Sequence, residues 1–201
     1  MFHPDSILRT LGTHLPQTIR RTDFRRAAVL LPIFWEGSEP HVVFTKRSEH
    51  VPHHKGQVSF PGGSIDPTDA DAYAAAVRET EEEIGIPPDQ VEMLGRLDDI
   101  LTITHFVVTP YVARIPAGFA YRPSDFEIAE VFHVALRDLA DPNRLREEVV
   151  SFEERPYPIY YFDHAGHNIW GATAKILRQF LAVTRLMPGE IVSDRTLPSD
   201  L

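Results

Sequence analysis

The chain has 201 residues, 43% of them hydrophobic, and a formal net charge of −9, which predict a soluble globular domain with its own core. The negative charge argues against nonspecific binding to nucleic acid, and the longest apolar run, residues 27–35, is too short to cross a bilayer. Because the chain has no cysteine, disulfides and thiolate metal sites are excluded, and a reducing cytoplasm is the expected compartment.

The first predicted element is a short amphipathic helix over residues 5–15. Its apolar positions are Ile7, Leu8, Leu11 and Leu15. Four arginines follow between positions 20 and 26. Strands are then predicted over residues 27–34 and 41–45, and a short strand over residues 57–60 leads into a glycine turn.

A glutamate-rich segment after this turn predicts a helix over residues 71–84, since alanine, arginine and glutamate all favour helix. Thr68 or Asp69 is expected to cap its start, and Gly85 to end it. At about 100° per residue, one stripe forms the core face, and another face carries glutamates beside small alanines that leave room for a ligand. The core stripe is Tyr73, Val77, Thr80 and Ile84, and the other face is Glu79, Glu82 and Glu83 with Ala72, Ala75 and Ala76, whereas Glu81 points elsewhere.

The three glutamates that share a face repel one another, at roughly 0.2–0.5 kcal/mol for each pair in a bare helix. A hard divalent cation would turn this repulsion into attraction, and carboxylate oxygens suit Mg²⁺ or Mn²⁺. Arg78 can reach Glu82 one turn away and hold it in position. A solvated acidic face is the alternative, but the alanines and the glycine turn favour a metal site at Glu79, Glu82 and Glu83.

The rest of the chain continues with strands and ends with an amphipathic helix over residues 171–186 and an expected loose tail over residues 188–201. The strands are predicted over residues 91–97, 106–115, 131–134, 157–162 and 167–170, the last two forming a hairpin. Strands with few helices between them suggest a mixed sheet sandwiched by helices.

At its glutamate helix the chain resembles the Nudix hydrolases. Their signature is a glycine, a loop and a helix that carries Arg-Glu, an aliphatic-type residue, any residue, Glu-Glu, any residue, glycine and an aliphatic residue. Residues 78–86 read Arg-Glu-Thr-Glu-Glu-Glu-Ile-Gly-Ile and match it, with Gly63 as the first glycine. The loop is one residue longer than the common signature, so that the signature's first glutamate falls on Ala70 and Asp69 is its expected substitute.

A second motif just upstream is similar to one in the coenzyme A diphosphatases. Residues 44–48 read Phe-Thr-Lys-Arg-Ser, and residues 54–63 read His-Lys-Gly-Gln-Val-Ser-Phe-Pro-Gly-Gly. The longer loop is another feature of that branch, and residues 169–173 look like the start of its last helix. The resemblance implies a Nudix-type α/β/α sandwich with a mixed β-sheet over about residues 25–187, one domain with an N-terminal helical extension. It also implies hydrolysis of coenzyme A to 4′-phosphopantetheine and adenosine 3′,5′-bisphosphate.

The candidate substrate-binding residues are Arg47, His54, Lys55, Gln57, Gly62 and Gly63. Because carboxylates alone would repel a diphosphate, a metal must bridge the two. Arg47, Lys46 and Lys55 are predicted to pair with phosphate, although Arg47 taken alone would be a surface arginine. The two glycines permit close backbone approach. His54 and Gln57 either contact the substrate or hydrogen bond within their loop, and the sequence favours neither alternative.

Nudix enzymes differ in their general base, so more than one carboxylate is a candidate. Glu82 is the first choice, with Arg78 beside it. Glu127 matches the position of a loop carboxylate that some relatives use, and Asp125 and Glu130 are neighbouring alternatives. Taken singly, each of these three loop acids is expected to be an ordinary surface residue.

The sequence leaves two other functions open. Like the hydrolysis of coenzyme A, both involve a small-molecule ligand. The first is a Nudix hydrolase of another nucleoside diphosphate derivative, such as ADP-ribose or an oxidised nucleotide, against which only the upstream motif argues. The second is a non-catalytic nucleotide sensor on the same fold. The intact acidic set on the glutamate helix argues against a sensor, because a sensor has no need of all three acids.

Overall fold

A central sheet of eight strands organises the part of the chain that the structure, a computed structural model, describes: residues 4–51, 54–152 and 155–187. The expected tail over residues 188–201 lies outside these ranges. The strands of the central sheet are β1 (Arg25–Glu36), β2 (Glu39–Arg47), β3 (Val58–Ser59), β4 (Gly62–Ser64), β5 (Glu92–Arg96), β6 (Ile100–Leu101), β7 (Phe106–Arg114) and β8 (Ile128–Ala135).

A second sheet and the helices complete the fold. The smaller sheet contains β9 (Leu145–Phe152), β10 (Arg155–His164) and β11 (His167–Trp170), and the helices are α1 (Pro4–Thr13), α2 (Ala72–Ile84), α3 (Leu136–Leu139) and α4 (Gly171–Val183). Within the central sheet, β1 pairs antiparallel with β2 and β4 but parallel with β7. The sheet is therefore mixed, as the sequence predicted.

The two faces of β1 belong to different layers, because successive side chains of a strand point to opposite sides. Leu31 packs in one core cluster with Phe180 of α4, whereas its neighbour Leu30 packs in another with Ala76 of α2. All four side chains are fully buried. Each buried leucine contributes roughly 1.5–3 kcal/mol, so both helices are held firmly on the sheet. The result is the predicted α/β/α sandwich.

Most predicted elements are confirmed, including the hairpin of β10 and β11, whose turn residues Ala165 and Gly166 both have positive φ. The sequence did not predict β9, because arginine and glutamate fill positions 146–148 and such residues are depleted in strands. β9 pairs with β10 and carries exposed side chains, which is the usual character of an edge strand.

The N-terminal helix is two residues shorter at its C-terminal end than predicted. Ile7 and Leu11 are buried as expected, with Leu11 lying against Gly95 of β5. The other two apolar positions, Leu8 and Leu15, are exposed. Leu15 follows the end of the helix, so it no longer lies on the helical stripe. Among the described helices, none combines the length and apolar character that crossing a bilayer requires.

Candidate active site

Helix α2 begins and ends at residues whose side chains or backbone geometry favour those positions. Asp71 is the N-cap, since its carboxylate accepts a hydrogen bond of 2.8 Å from the Ala74 amide. The prediction of Thr68 or Asp69 as the cap was wrong, because both side chains are engaged one turn earlier around Asp66. Gly85 ends the helix with φ of 77°, as predicted.

The alanines of α2 pack against the sheet and do not leave room for a ligand. Ala75 and Ala76 have no exposed surface and lie in a core cluster with Ala28 and Leu30 of β1. The expectation that they line a ligand site was therefore wrong. Their small side chains let the helix approach the strand closely, which brings its glutamates against the edge of the β4 turn. The predicted core positions Val77, Thr80 and Ile84 are buried, and Tyr73 is half-buried.

Two glutamates of α2 meet the two glycines of β4. The Gly62 amide donates a hydrogen bond of 3.3 Å to Oε2 of Glu83, whose side chain is 4% exposed. A Cβ atom on Gly63 would lie only 2.5 Å from the carboxyl carbon of Glu79. Glycine at position 63 thus leaves space that the Glu79 carboxylate occupies. Glu82, one turn away, stays largely exposed.

Arg78 ties three acidic side chains together. Its Nε and Nη2 atoms lie 3.0 and 3.1 Å from the two carboxylate oxygens of Asp69. Its Nη1 atom lies 2.9 Å from Glu79 and 3.2 Å from Glu82. A two-point ion pair of this kind fixes the plane of the guanidinium. Asp69 therefore holds Arg78, and Arg78 orients both glutamates. The longer loop thus supplies a carboxylate, that of Asp69, beside Arg78.

Arg47 faces Glu83 from the end of β2. Its Nη1 atom lies 3.6 Å from Oε1 of Glu83. Burial raises the pKa of Glu83 to about 8, although Arg47 and the Gly62 amide lower it in part. Burial also raises the pKa of Glu79, against the opposing effect of Arg78. A further positive charge at this place would keep both groups ionised near neutral pH.

The buried Glu83 predicts how stability changes with pH in the absence of metal. A raised pKa in the folded state favours folding below the unfolded value of 4.5, and this contribution is lost as the pH rises through about 8. We therefore expect Glu83→Gln, which cannot ionise, to gain stability relative to the parent protein between pH 5 and pH 8. The melting temperatures of both proteins in a chelator, measured at several pH values, test this. A difference in melting temperature that does not change with pH would contradict the assignment.

A loop before β8 brings Glu127 toward the same glutamates. The Ser124 amide donates to the Glu83 carbonyl at 2.9 Å, and the Ser48 amide donates to the Glu127 carbonyl at 2.8 Å. The negative charge of Glu127 helps raise the pKa of both Glu79 and Glu83. Of the neighbouring acids, Glu130 is paired with His167 at 3.1 Å. The geometry thus favours Glu127 over Glu130 as the loop carboxylate near the site.

The predicted substrate loop closes on itself beside Arg47. His54 Nδ1 lies 2.8 Å from Gln57 Oε1, and the Arg47 amide donates to the Gln57 carbonyl at 2.9 Å. His54 and Gln57 therefore do hydrogen bond within their loop, yet both also line a cavity. Lys55 is exposed and does not line that cavity.

This cavity has a volume of about 380 Å³ and lies between the central sheet, the smaller sheet and the start of α4. Of the predicted substrate-binding residues, Arg47, His54, Gln57 and Gly62 line it. The sequence analysis missed its other walls, among them Ile103, Val150, Tyr157, Trp170 and Lys175. Only the motif at residues 169–173 pointed toward this region, since β11 ends there and α4 begins.

The carboxylates fit a divalent cation, although they do not form a closed cage. In the three described stretches of the chain, no three His, Asp or Glu side chains are already grouped to hold a metal. Glu79 and Glu82 are paired with Arg78, and Glu83 with Arg47. Mg²⁺ commonly takes only one or two protein carboxylates together with water and substrate phosphates. The buried Glu83 carboxyl, incompletely neutralised by its neighbours, is the feature that a cation would compensate.

Comparison with known proteins places this site in a family. The NUDIX domain family matches residues 23–157. The chain is 39% identical over 176 residues to the uncharacterized Nudix hydrolase NudL of Escherichia coli K12, covering 87% of this chain and 91% of that protein. The NudL protein of Shigella boydii serotype 18 gives the same identity, 39%, and the same coverage, 87% and 91%.

Among solved structures, a NUDIX hydrolase from Alicyclobacillus acidocaldarius has the same fold. It aligns with a TM-score of 0.51 and 21% identity, covering 60% of this chain and 83% of that chain. The glutamate helix with its glycine turn lies inside the matched residues 23–157. From the extent of the family match and the identity to NudL, the chain belongs to the Nudix hydrolase family.

Proposed function

We propose that this protein is a divalent-metal-dependent hydrolase that cleaves the diphosphate of coenzyme A. The products are 4′-phosphopantetheine and adenosine 3′,5′-bisphosphate. One observation carries the proposal: the residues of the upstream motif line a cavity that adjoins the glutamates. Gly62 belongs to both, since its amide donates to Glu83 and it also lines the cavity. A substrate with its diphosphate at Gly62 therefore has a cavity beside it for one of its two arms.

Glu79, Glu82 and Glu83 are the proposed ligands of Mg²⁺ or Mn²⁺. When bound, such a cation neutralises the charge of the diphosphate and makes water a better nucleophile at neutral pH. Arg78 holds Glu79 and Glu82 in place through its pairs with both. Gly63 keeps the space beside the Glu79 carboxylate free of a side chain, and the Gly62 amide donates to Glu83.

The proton of the attacking water needs an acceptor. Glu82 is the first candidate, because its carboxylate is exposed to solvent and is oriented by Arg78. Glu127 is the second, because its loop is hydrogen bonded to the end of α2 and its charge acts on Glu79 and Glu83. Comparing the pH dependence of kcat in Glu82→Gln and Glu127→Gln distinguishes them, since loss of the base removes the acidic limb of the profile.

Arg47 is proposed to bind the diphosphate, because it lies beside Glu83 and lines the cavity. Removing one charged hydrogen-bond partner costs about 1.5–3 kcal/mol, so Arg47→Ala should raise KM by roughly 10- to 150-fold and lower kcat less. Arg137→Ala, which removes an exposed arginine of α3 outside the cavity, is the matched control and should change KM little.

A second substrate locates the phosphate that Arg47 contacts. Dephospho-coenzyme A lacks the 3′-phosphate but keeps the diphosphate. With Arg47 at the diphosphate, the variant should lose the same factor in kcat/KM with both substrates. If the variant spares dephospho-coenzyme A, Arg47 binds the 3′-phosphate instead, and its place beside Glu83 would have to be explained by another role.

A substrate panel tests the proposed function against the alternatives. The purified protein is incubated with Mg²⁺ or Mn²⁺ and coenzyme A, ADP-ribose, NADH, diadenosine polyphosphates and oxidised nucleoside triphosphates. The highest kcat/KM is expected with coenzyme A. Higher values with ADP-ribose or an oxidised nucleotide would replace the substrate but keep the enzyme class. Binding without turnover of any compound would indicate a sensor.

A further inference from the structure

The first part of the upstream motif ends in a buried serine whose contacts lead to the loop before β8. Ser48 directly follows Arg47 at the end of β2 and is 4% exposed. Its hydroxyl donates a hydrogen bond of 2.5 Å to the Phe126 carbonyl and accepts one of 3.1 Å from the His50 amide. A buried hydroxyl that both donates and accepts is held in one orientation.

Ser48 contacts the backbone on both sides of Glu127. The Phe126 carbonyl belongs to the peptide group that precedes the Cα atom of Glu127. The Glu127 carbonyl, which accepts a hydrogen bond of 2.8 Å from the Ser48 amide, belongs to the peptide group that follows it. Because each peptide group is planar, a bond to its carbonyl limits its rotation as a whole. The two contacts therefore restrict both backbone dihedral angles of Glu127, and with them the direction of its side chain.

A second serine holds the same two peptide groups by their amides. The amides of Glu127 and Ile128 donate to the Ser124 carbonyl at 3.0 and 2.8 Å. The Ser124 amide in turn donates to the Glu83 carbonyl of α2 at 2.9 Å. The loop is thus fastened to α2 through Ser124 and to the end of β2 through Ser48.

Regular strand pairing stops short of Glu127. The ladder between β2 and β8 ends at the pair of Arg47 and Ile128, and its register shifts between Lys46 and Arg47. An irregularity of this kind bends a strand away from the regular ladder, and such irregularities are common beside active sites. The placement of Glu127 beyond the last pair therefore depends on the contacts that Ser48 and Ser124 make.

We propose that Ser48 is a positioning residue for Glu127, because its amide and hydroxyl fix the backbone on both sides of Glu127 and so hold the carboxylate toward Glu79 and Glu83. The inference rests on the proposed function for the part that Glu127 takes in the reaction. Glu127 is half-buried, and its negative charge helps raise the pKa of Glu79 and of Glu83, which agrees with this direction. The upstream motif then has two uses: Arg47 binds substrate, and Ser48 places an acid of the reaction.

A double-mutant cycle tests the inference by kinetics. Ser48→Ala should lower kcat for coenzyme A by roughly 10- to 100-fold, the usual loss when a group that orients a functional residue is removed, and should change KM less than about threefold. Glu127→Gln should lower kcat at least as much. In the Glu127→Gln protein, adding Ser48→Ala should lower kcat by no more than about a further twofold, because Ser48 acts through the carboxylate that is already lost.

Hydrogen exchange tests the contact without any substrate. In Ser48→Ala the amides of residues 124–128 should exchange roughly fivefold faster or more, because the loop loses a buried hydrogen bond. Thr184→Ala is the matched control: it removes a buried hydroxyl that donates to the Phe180 carbonyl at 2.6 Å, at the end of α4 and outside the cavity. Both variants should lower the melting temperature by about 2–4 °C, but Thr184→Ala should change neither kcat nor the exchange of residues 124–128.

The outcomes separate the inference from the proposed function. Additive losses of kcat in the cycle, or a parent-like kcat in Glu127→Gln, would overturn the inference, because Ser48 would then act through another group. A rise in KM equal to that of Arg47→Ala, or unchanged exchange of residues 124–128, would also overturn it. Absence of turnover with coenzyme A would overturn the function instead. The cycle would then use the compound of the panel that is hydrolysed, and the exchange rates would still decide whether Ser48 holds the loop of Glu127.

Discussion

Glu79→Gln and Glu83→Gln are each expected to lower kcat for coenzyme A by more than 100-fold. The two carboxylates lie at the Gly62–Gly63 turn, where the cation is proposed to bind. Losing a residue that only orients a ligand typically costs 10- to 100-fold, so losing a ligand should cost at least the upper end of that range. Glutamine has almost the same shape as glutamate, so the loss reports the charge and its oxygen donors.

Glu81→Gln is the control for this result. Glu81 is exposed on the same helix, so its substitution should change stability by no more than about 0.5 kcal/mol. Because Glu81 lies outside the predicted metal face, the activity of the variant should stay within roughly twofold of the parent. All three variants should fold, and Mn²⁺ should raise the melting temperature of the parent and of Glu81→Gln but not of Glu83→Gln. Equal losses of activity at all three positions would contradict the assignment of the helix faces.

Gly62→Ala is expected to cause the largest loss of stability of any substitution at the site. Gly62 has φ of 150°, and a Cβ atom would lie 2.3 Å from the Ala28 carbonyl oxygen and 2.6 Å from the Val29 Cα atom. Because both contacts are with backbone of the central strand β1, neither can move away easily. Backbone strain and overpacking each cost about 1–3 kcal/mol, so the melting temperature should fall by roughly 5–15 °C.

Gly63→Ala separates the structural use of glycine from the functional one. Its Cβ atom would lie 2.5–2.7 Å from the carboxyl atoms of Glu79, which are the end of a flexible side chain. The side chain can turn aside, so stability should change by no more than about 1 kcal/mol, while kcat should fall because Glu79 is displaced. Normal activity in a folded Gly63→Ala protein would show that Glu79 is not needed where the structure places it.

The glutamate helix was predictable because its signals are local. Alanine, arginine and glutamate favour helix, Gly85 ends it, and the spacing of Glu79 and Glu83 places them one turn apart. The sequence also predicted the buried positions Val77, Thr80 and Ile84, but it could not show that the alanines beside the glutamates are buried as well. Ala75 and Ala76 pack on β1, and the carboxylate of Glu83 is buried where it accepts a hydrogen bond from the Gly62 amide.

The cavity was not predictable, because its walls come from segments far apart in the chain. The β6–β7 loop, β9, β10 and the start of α4 contribute to it, and β9 has the polar composition of a loop. The upstream motif likewise predicted Arg47 as a phosphate ligand but not its contact with Glu83, which depends on the end of β2 lying near α2. Such contacts follow from the packing of layers and not from any short motif.

Product analysis of coenzyme A incubated with the purified protein and Mn²⁺ decides whether the diphosphate is the bond that is cleaved. Mass spectrometry should find 4′-phosphopantetheine and adenosine 3′,5′-bisphosphate in equal amounts, and neither product should form in a chelator or with Glu83→Gln. Formation of dephospho-coenzyme A and inorganic phosphate alone, or no turnover with either Mn²⁺ or Mg²⁺, would contradict the proposed function.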